Sequence, residues 1–554
     1  MTLKRSSITQ SSQPKRAWII GLASGSVAVL VVWFWAYLET GSITPQPALE
    51  DAAMLFRYAE NLAAGNGISW NAGMAPGRTD GATDLGFVLA LAPLVALGID
   101  TAVAAWVLNM LSVFLLGALL GWVMRVKLQM PLLIALAIPI IIFSGPVNRY
   151  VTSGFSPPIF ALYLSFLAVL TLGALDRTVL STKFAFVIGF LASLSGWWRP
   201  EGFLMGLLIV IAAASTTAKR NQIRQFWTSK ILIASLVGLA IPFLLWAAFR
   251  LVYFGHLLPS SAVMKSGGLT RVNGLESFQF YILMLLPIVA VVTCLGLARR
   301  SRIIVFFALL LIVSAMWIPV SLDLNWWSRM QWPLVPPLAL IAIFSVVSRG
   351  GPTFTLKRFT INGEFFSLLN VFAAICLTLA LISITRTFGL QGAPYTAYQP
   401  HAVISEALYK VDTSGIRLAT SEAGLIPLAI EGQALDTFGF NNYPIASTGG
   451  LALQSELDSL KPNIVILNGP TPESLKSEFL ARGCSESDLA GYLGEKWVTM
   501  GNTITSYVKK HDLRLARATA TGACSIFSVY VSSRINEDVL AALKTPLGNE
   551  NDLL

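Results

Sequence analysis

The chain has 554 residues, 55% of them hydrophobic and only 12% charged, with a mean hydropathy of +0.67. Soluble domains carry about a quarter charged residues, so this composition excludes an ordinary soluble globular protein and implies a polytopic helical membrane protein. The formal net charge of +10 comes from lysines and arginines scattered through short loops, a distribution that argues against nucleic acid as a partner.

In chain order, residues 1–17 form a basic tail (Lys4, Arg5, Lys15, Arg16), and Trp18–Leu38 is about as long as a bilayer core requires. That segment is long for a signal peptide and has no clean small-residue cleavage site. It reads as a retained signal anchor with its N-terminus in the cytoplasm. Glu50–Leu62 follows: two adjacent carboxylates, Glu50 and Asp51, begin a short helix with Met54, Leu55, Tyr58 and Leu62 on one side. The stretch runs on through Gly65-Asn66-Gly67 to Trp70-Asn71. Acids favour a helix N-terminus, so one reading is a simple cap. Carboxylates beside hydrocarbon are costly unless solvated, paired or working, so the other reading is a functional pair.

Apolar segments then recur at 83–97, 103–123, 131–144, 158–175, 184–197, 202–217, 231–252, 279–298, 303–320, 332–347 and 366–385. Basic clusters occupy every second loop: Arg177 and Lys183; Lys219, Arg220, Arg224 and Lys230; Arg299, Arg300 and Arg302; Arg349, Lys357 and Arg358. Lysine and arginine mark cytoplasmic loops, which places 145–157, 198–201, 253–278, 321–331 and everything beyond about 386 outside. Arg125 and Lys127 also read as cytoplasmic, and this is compatible with an external loop at 39–82 only if 83–97, which contains Pro93, enters without crossing. The expectation is about 11 full crossings, N-terminus in and C-terminus out.

From about residue 387 the pattern changes. Residues 416–420, 434–436, 463–467 and 525–531 read as short buried strands, and 401–410, 449–460 and 471–481 as helices. The fold class is therefore mainly α: a transmembrane bundle at 18–386 and an external α/β domain at 387–554. There are four cysteines and no C-x-x-C pair, so no zinc site is indicated. Cys294 and Cys376 lie in apolar runs as packing residues, whereas Cys484 and Cys524 are expected to pair if their domain meets an oxidising compartment.

Sorted by this topology, ionisable residues gather on the external side near Trp197, Trp198, Trp326, Trp327 and Trp332. Single arginines at span ends commonly snorkel, and tryptophans form interfacial belts. A whole face of arginines and carboxylates rimmed by aromatics instead suits a ligand with an anionic headgroup and a long lipid tail. Three elements stand out: Ser195–Gly202 with Arg199 and Glu201, Arg250–Ser261 with His256 ahead of Lys265, and Asp323–Arg329, whose arginine could hold a phosphate by a forked contact.

The order of motifs is distinctive: the acidic pair with FRYAENLAAGNGISWN, Gly81-Ala82-Thr83, Thr152-Ser153-Gly154-Phe155, Arg199-Pro200-Glu201-Gly202, the run Arg250–Pro259 with Lys265, and Asp323–Arg329 before Pro333 and Pro336. Ser421-Glu422-Ala423-Gly424 and Asp436-x-x-Gly439 continue it. This order resembles the GT-C superfamily of integral-membrane glycosyltransferases, and within it the terminal arabinofuranosyltransferases of actinobacterial cell-wall assembly and related bacterial proteins.

The resemblance implies a polyprenyl-phosphate sugar donor, an inverting transfer and an external active site built by the first loop. Asp51 matches the family's catalytic acid and takes the general-base role, with Glu50 beside it. The substrate-binding set is Arg57, Arg78, Arg149, Arg199, Glu201, His256, Lys265, Asp323 and Arg329. The acceptor, whether glycan, lipid or protein, and the sugar, arabinofuranose or a hexose, stay open. The sequence departs from the family pattern at Glu50 (usually Asp), at Phe155-Ser156-Pro157 (commonly Met-Glu-Thr, so a carboxylate is missing), at Asp84–Phe87 (usually Ser-x-Leu-Trp) and at Ser260 (commonly Asn). No histidine lies near Glu50 and Asp51, so a divalent cation there would be a hard one on oxygen ligands. Two other classes compete: a transporter or flippase for lipid-linked glycans, and a non-catalytic scaffold. Transporters concentrate ionisable groups near the bilayer midplane, whereas these spans are nearly free of charge.

Overall fold

The computed structural model describes residues 13–40, 50–127, 132–144, 147–175, 181–217, 229–266, 329–347, 355–356, 359–360, 399–469, 480, 495–520 and 526–546. The expected spans at 279–298, 303–320 and 366–385 lie outside the described residues, as do Asp323 and all four cysteines. The Cys484–Cys524 pairing therefore also falls outside them.

Long apolar runs become helices because a backbone in hydrocarbon must satisfy its hydrogen bonds internally. Those described are α1 (Gln13–Thr40), α2 (Glu50–Ala63), α3 (Leu85–Ala96), α4 (Thr101–Trp122), α5 (Leu132–Phe143), α6 (Val147–Thr152), α7 (Pro157–Leu175), α8 (Thr182–Trp198), α9 (Gly202–Thr217), α10 (Ser229–Tyr253), α11 (Ser260–Ser266) and α12 (Val335–Val347). Among the described residues, four stretches are long and apolar enough to cross a membrane: Trp18–Leu38, Thr101–Val126, Pro157–Leu175 and Lys230–Tyr253. The protein is a membrane protein. Helix α3 has 12 residues and contains Pro93; at about 18 Å it is too short to span a core of about 30 Å. Helix α5 is equally short, although a full span was expected there. The loop expected at 145–157 holds α6.

Small residues let the helices approach closely, the usual means of packing where no hydrophobic drive exists between helices. A Cβ on Gly25 of α1 would lie 2.6 Å from the Phe114 carbonyl oxygen of α4, and one on Gly117 would lie 2.6 Å from Ala28. Outward-facing Leu30 and Phe34 on α1 and Ile233, Leu244 and Leu245 on α10 remain exposed, as lipid-facing side chains should.

The C-terminal region follows a two-residue ribbon, β1 (Thr355–Leu356) and β2 (Phe359–Thr360). It carries α13 (Gln399–Leu408), β3 (Arg417–Thr420), α14 (Leu425–Leu428), β4 (Gln433–Asp436), α15 (Tyr443–Ser447), α16 (Leu453–Leu460), β5 (Ile464–Gly469), α17 (Glu495–Lys510), β6 (Arg514–Ala520), β7 (Ile526–Val531) and α18 (Glu537–Leu543). The sheet order is β4-β3-β5-β7-β6, with β3 parallel to β4 and β5, and β7 antiparallel to β5 and β6. Central β5 is apolar over 464–467 because both its faces are covered there. Ile464 and Ile466 join a core continuous with Phe56 and the membrane helices, whereas Val465 and Leu467 pack with Leu453, Met500 and Ile504. Strand β6 was not foreseen. Its sequence is broken by charge and by a register shift between Leu515 and Arg517, and the Arg517 side chain is held by the carbonyls of Leu543 and Thr545.

Candidate active site

Helix α2 forms the floor on which the first loop, the membrane helices and the α/β region meet. Successive residues at its N-terminus point in different directions. The carboxylate of Glu50 is buried and accepts the amide N–H groups of Gly424 (2.6 Å) and Leu425 (3.0 Å), at the start of α14. Gly424 is required by close approach: a Cβ there would overlap the Glu50 carbonyl. Two turns on, all five donors of Arg57 are used by the protein. Nε bonds the Trp70 carbonyl (2.6 Å), Nη1 the carbonyls of Pro427 and Ile430, and Nη2 the Gly432 carbonyl and Asn71 Oδ1.

The loop after α2 fastens to the same region. Asn71 donates through Nδ2 to the Ala434 carbonyl (2.6 Å) and accepts the Ala434 amide at 3.1 Å. It thereby pairs with the free edge of β4, which would otherwise leave backbone groups exposed. Tyr58 Oη accepts the Gly81 amide at 2.6 Å and lies 2.9 Å from Asn441 Oδ1. Asp436 in turn holds Asn441 through its backbone and side-chain nitrogens. Arg250 pairs with buried Asp80, Tyr253 Oη accepts the Ile68 amide, and the His256 ring stacks on Tyr443 at 3.6 Å with its nitrogens near the Gly77 and Leu258 carbonyls.

Asp51 faces a different way, into a small, partly open recess of about 60 Å³. The recess is lined by Asp51, Thr83, Asp84, Arg199, Ser261 and Arg329 among apolar walls that include Met54, Phe155 and Phe440. Arg329 Nη2 lies 2.5 Å from Asp51 Oδ2, and its guanidinium sits over Phe155 with its carbon 4.1 Å from the ring centroid. Phe155 reaches this position through Gly154, whose φ of +82° and contact with Phe56 admit no side chain. On the opposite wall Arg199 bridges two carboxylates, Asp84 at 2.9 Å and Glu201 at 2.6 Å, and Ser156 Oγ lies 2.7 Å from Asp84 Oδ2.

Burial raises Glu50 from its ordinary value to about 7, against the pull of its two amide donors, with the charges of Asp51 and Asp436 adding to the rise. Burial likewise raises Asp436 to about 6, and Glu422 well above its usual range with help from Glu50 and Asp51. A divalent cation bridging Glu50 and Asp51 does not fit this donor set. Both Glu50 oxygens already accept N–H groups, which a cation would repel, and Asp51 is turned away toward a guanidinium.

No family model matches the chain, and no curated protein does. Among solved structures it is similar to that of ArnT from Cupriavidus metallidurans bound to undecaprenyl phosphate, at 12% identity over 92% of this chain and 98% of that one, with a TM-score of 0.52. The fold is GT-C-like.

Within this GT-C-like fold, the expected site residues divide. Asp51, Arg199 and Arg329 line one recess, with Glu201 behind Arg199. Arg57, His256 and Glu50 do not line it: each is engaged in joining the loop to its neighbours, because a buried polar group must be paired. Arg78 lies in a second cavity, paired with Glu456 at 2.6 Å. Arg149 is half-buried on α6, and Lys265 belongs to α11. Sequence reasoning placed Asp84 among the external ionisable residues but gave it no role, and treated Ser156 only as a departure from a pattern. Their signal was available: a carboxylate directly before an apolar helix, and a hydroxyl where a carboxylate was missing.

Proposed function

We propose that this protein is an integral-membrane glycosyltransferase that uses a polyprenyl-phosphate sugar donor. It transfers arabinofuranose or a hexose, with inversion, to a glycan, lipid or protein acceptor of the cell envelope. It works at the external face of a bacterial plasma membrane, with the N-terminus cytoplasmic and the C-terminal region external. The observation that carries this reading is the Asp51–Arg329 pair on the wall of a recess between apolar helices and the α/β region. A protein of similar fold bound to undecaprenyl phosphate lends it support.

In the proposed reaction the donor phosphate draws Arg329 away from Asp51 by the stronger forked contact. The freed Asp51 carboxylate takes the proton of an acceptor hydroxyl as its oxygen attacks the anomeric carbon. The bond from that carbon to the phosphate oxygen breaks, and the electron pair leaves with polyprenyl phosphate, whose charge Arg329 stabilises. Glu50 serves by fixing the N-terminus of α2 and so aiming Asp51. Arg199 and Glu201 line the sugar side, while Arg149, Lys265 and Asp323 contribute to donor or acceptor binding.

The test is transfer of radiolabelled sugar from polyprenyl-phospho-arabinofuranose, -mannose and -glucose by purified protein beside Asp51→Asn. Transfer from one donor, lost in the variant, is expected. No transfer from any donor by wild type, with lipid binding intact in both proteins, would turn the reading toward a flippase or a scaffold.

A further inference from the structure

Asp84 lines the recess opposite Asp51, yet it is only 6% exposed. Its Oδ2 is fully engaged, by Ser156 Oγ at 2.7 Å and Arg199 Nη1 at 2.9 Å. Its Oδ1 has no hydrogen-bond partner among the described residues. An orphaned buried acceptor costs free energy, and for a carboxylate the cost is larger than for a neutral oxygen. The charges around the recess do not cancel: Arg199 is shared between Asp84 and Glu201, and Arg329, which also acts on Asp84, is paired with Asp51, so the set carries one net negative charge. The open space that Asp84 borders is the recess; Oδ1 is itself buried, so a ligand there supplies the missing donor once the Asp84 side chain turns toward it.

Resting on the glycosyltransferase reading above, we propose that Asp84 reads the donor sugar. Its Oδ1 accepts a hydrogen bond from a sugar hydroxyl or ammonium group, and the unbalanced charge around it excludes uronic acids. The phosphate is left to Arg329, across the recess. Polyol recognition by a charged acceptor is the stronger kind of hydrogen bond, and its loss leaves a buried group unpaired, which is how polar sites discriminate sharply.

Asp84→Asn tests this without changing shape. Arg199 and Ser156 hold the Oδ2 position with donors, so the asparagine oxygen must face them and its NH₂ group must take the place of Oδ1. The acceptor becomes a donor. Purified protein would be titrated with polyprenyl phosphate, polyprenyl-phospho-glucose, -mannose and -arabinofuranose, and polyprenyl-phospho-glucuronate. Wild type should bind one neutral phospho-sugar about 10- to 100-fold tighter than the bare phosphate and should discriminate against the glucuronate. Asp84→Asn should lose that gain, bind bare phosphate as before and admit the glucuronate. Ser156→Ala, which spares Oδ1, should keep the gain, whereas a merely structural cluster would respond to both variants. An undiminished sugar gain in Asp84→Asn overturns the assignment of Asp84 alone. Failure of bare polyprenyl phosphate to bind wild type overturns the glycosyltransferase reading, and this inference with it.

Discussion

The recess and the seam, where α2 and its loop join the α/β region, lie on different faces of one helix, and both are built from arginines and carboxylates. In the seam the charged groups are closed off. Arg57 spends five donors on protein oxygens, and Glu50 accepts two backbone amides. In the recess the groups are held by ion pairs that an anion or a polyol can exchange, as between Asp51 and Arg329, and one carboxylate oxygen has no partner. Residue type does not separate structure from chemistry here. What separates them is whether fixed backbone groups or exchangeable side chains satisfy the charge.

The sharpest way to break this comparison is Arg329→Ala. Removal of one cation from a leaving phosphate should lower transfer about 100- to 1,000-fold, while thermal unfolding in detergent should shift less than for Arg57→Ala, since the Asp51 carboxylate left behind is partly open to water. A large loss of stability would show that Arg329 belongs to the scaffold. Arg57→Ala should behave in the opposite way. Four carbonyls, those of Trp70, Pro427, Ile430 and Gly432, lose a partner, and the protein should lose about 3 kcal/mol or more by denaturant unfolding. Activity per folded molecule should fall far less than stability.

Glu50 sharpens the comparison through pH. Its carboxyl is raised in the folded protein from 4.5 to about 7, so between these values the folded state holds a proton that the unfolded state has released. Stability must then fall as pH rises through that window, by about 3 kcal/mol in total. Asp436, raised to about 6, acts with the same sign. Thermal unfolding from pH 4.5 to 7.5 should show this slope, and Glu50→Gln should flatten it; an unchanged slope in the variant would sink the assignment. Smallest is Arg78→Ala. Its partner pair with Glu456 is half exposed on the arginine side, so unfolding should move by less than about 1 kcal/mol.

Much of this was legible in the chain. Uniform apolarity over about 20 residues dictates a helix because hydrocarbon offers the backbone no other partner, which is why α1, α4, α7 and α10 stand where hydropathy put them. The alternation and apolar runs of β3, β4, β5 and β7 were equally plain. Strand β6 was not, since an edge strand with a buried, carbonyl-bound arginine has no apolar period.

For the site, the sequence by itself determined that two acids begin α2 and that arginines and carboxylates gather near the span ends. Only the tertiary structure decided that Asp51 opens on a recess while Glu50 caps α14, and that Arg57 and His256 are sealed into a seam. Adjacent residues on a helix diverge by about 100°, so neighbours in sequence meet different surroundings. Which surroundings those are depends on contacts made more than 270 positions away, such as Asp51 with Arg329 and Glu50 with Gly424. The same holds for Asp84, whose partners Ser156 and Arg199 come from two other helix ends. Local pattern fixes where a charge sits along the chain; long-range packing decides what is left to neutralise it.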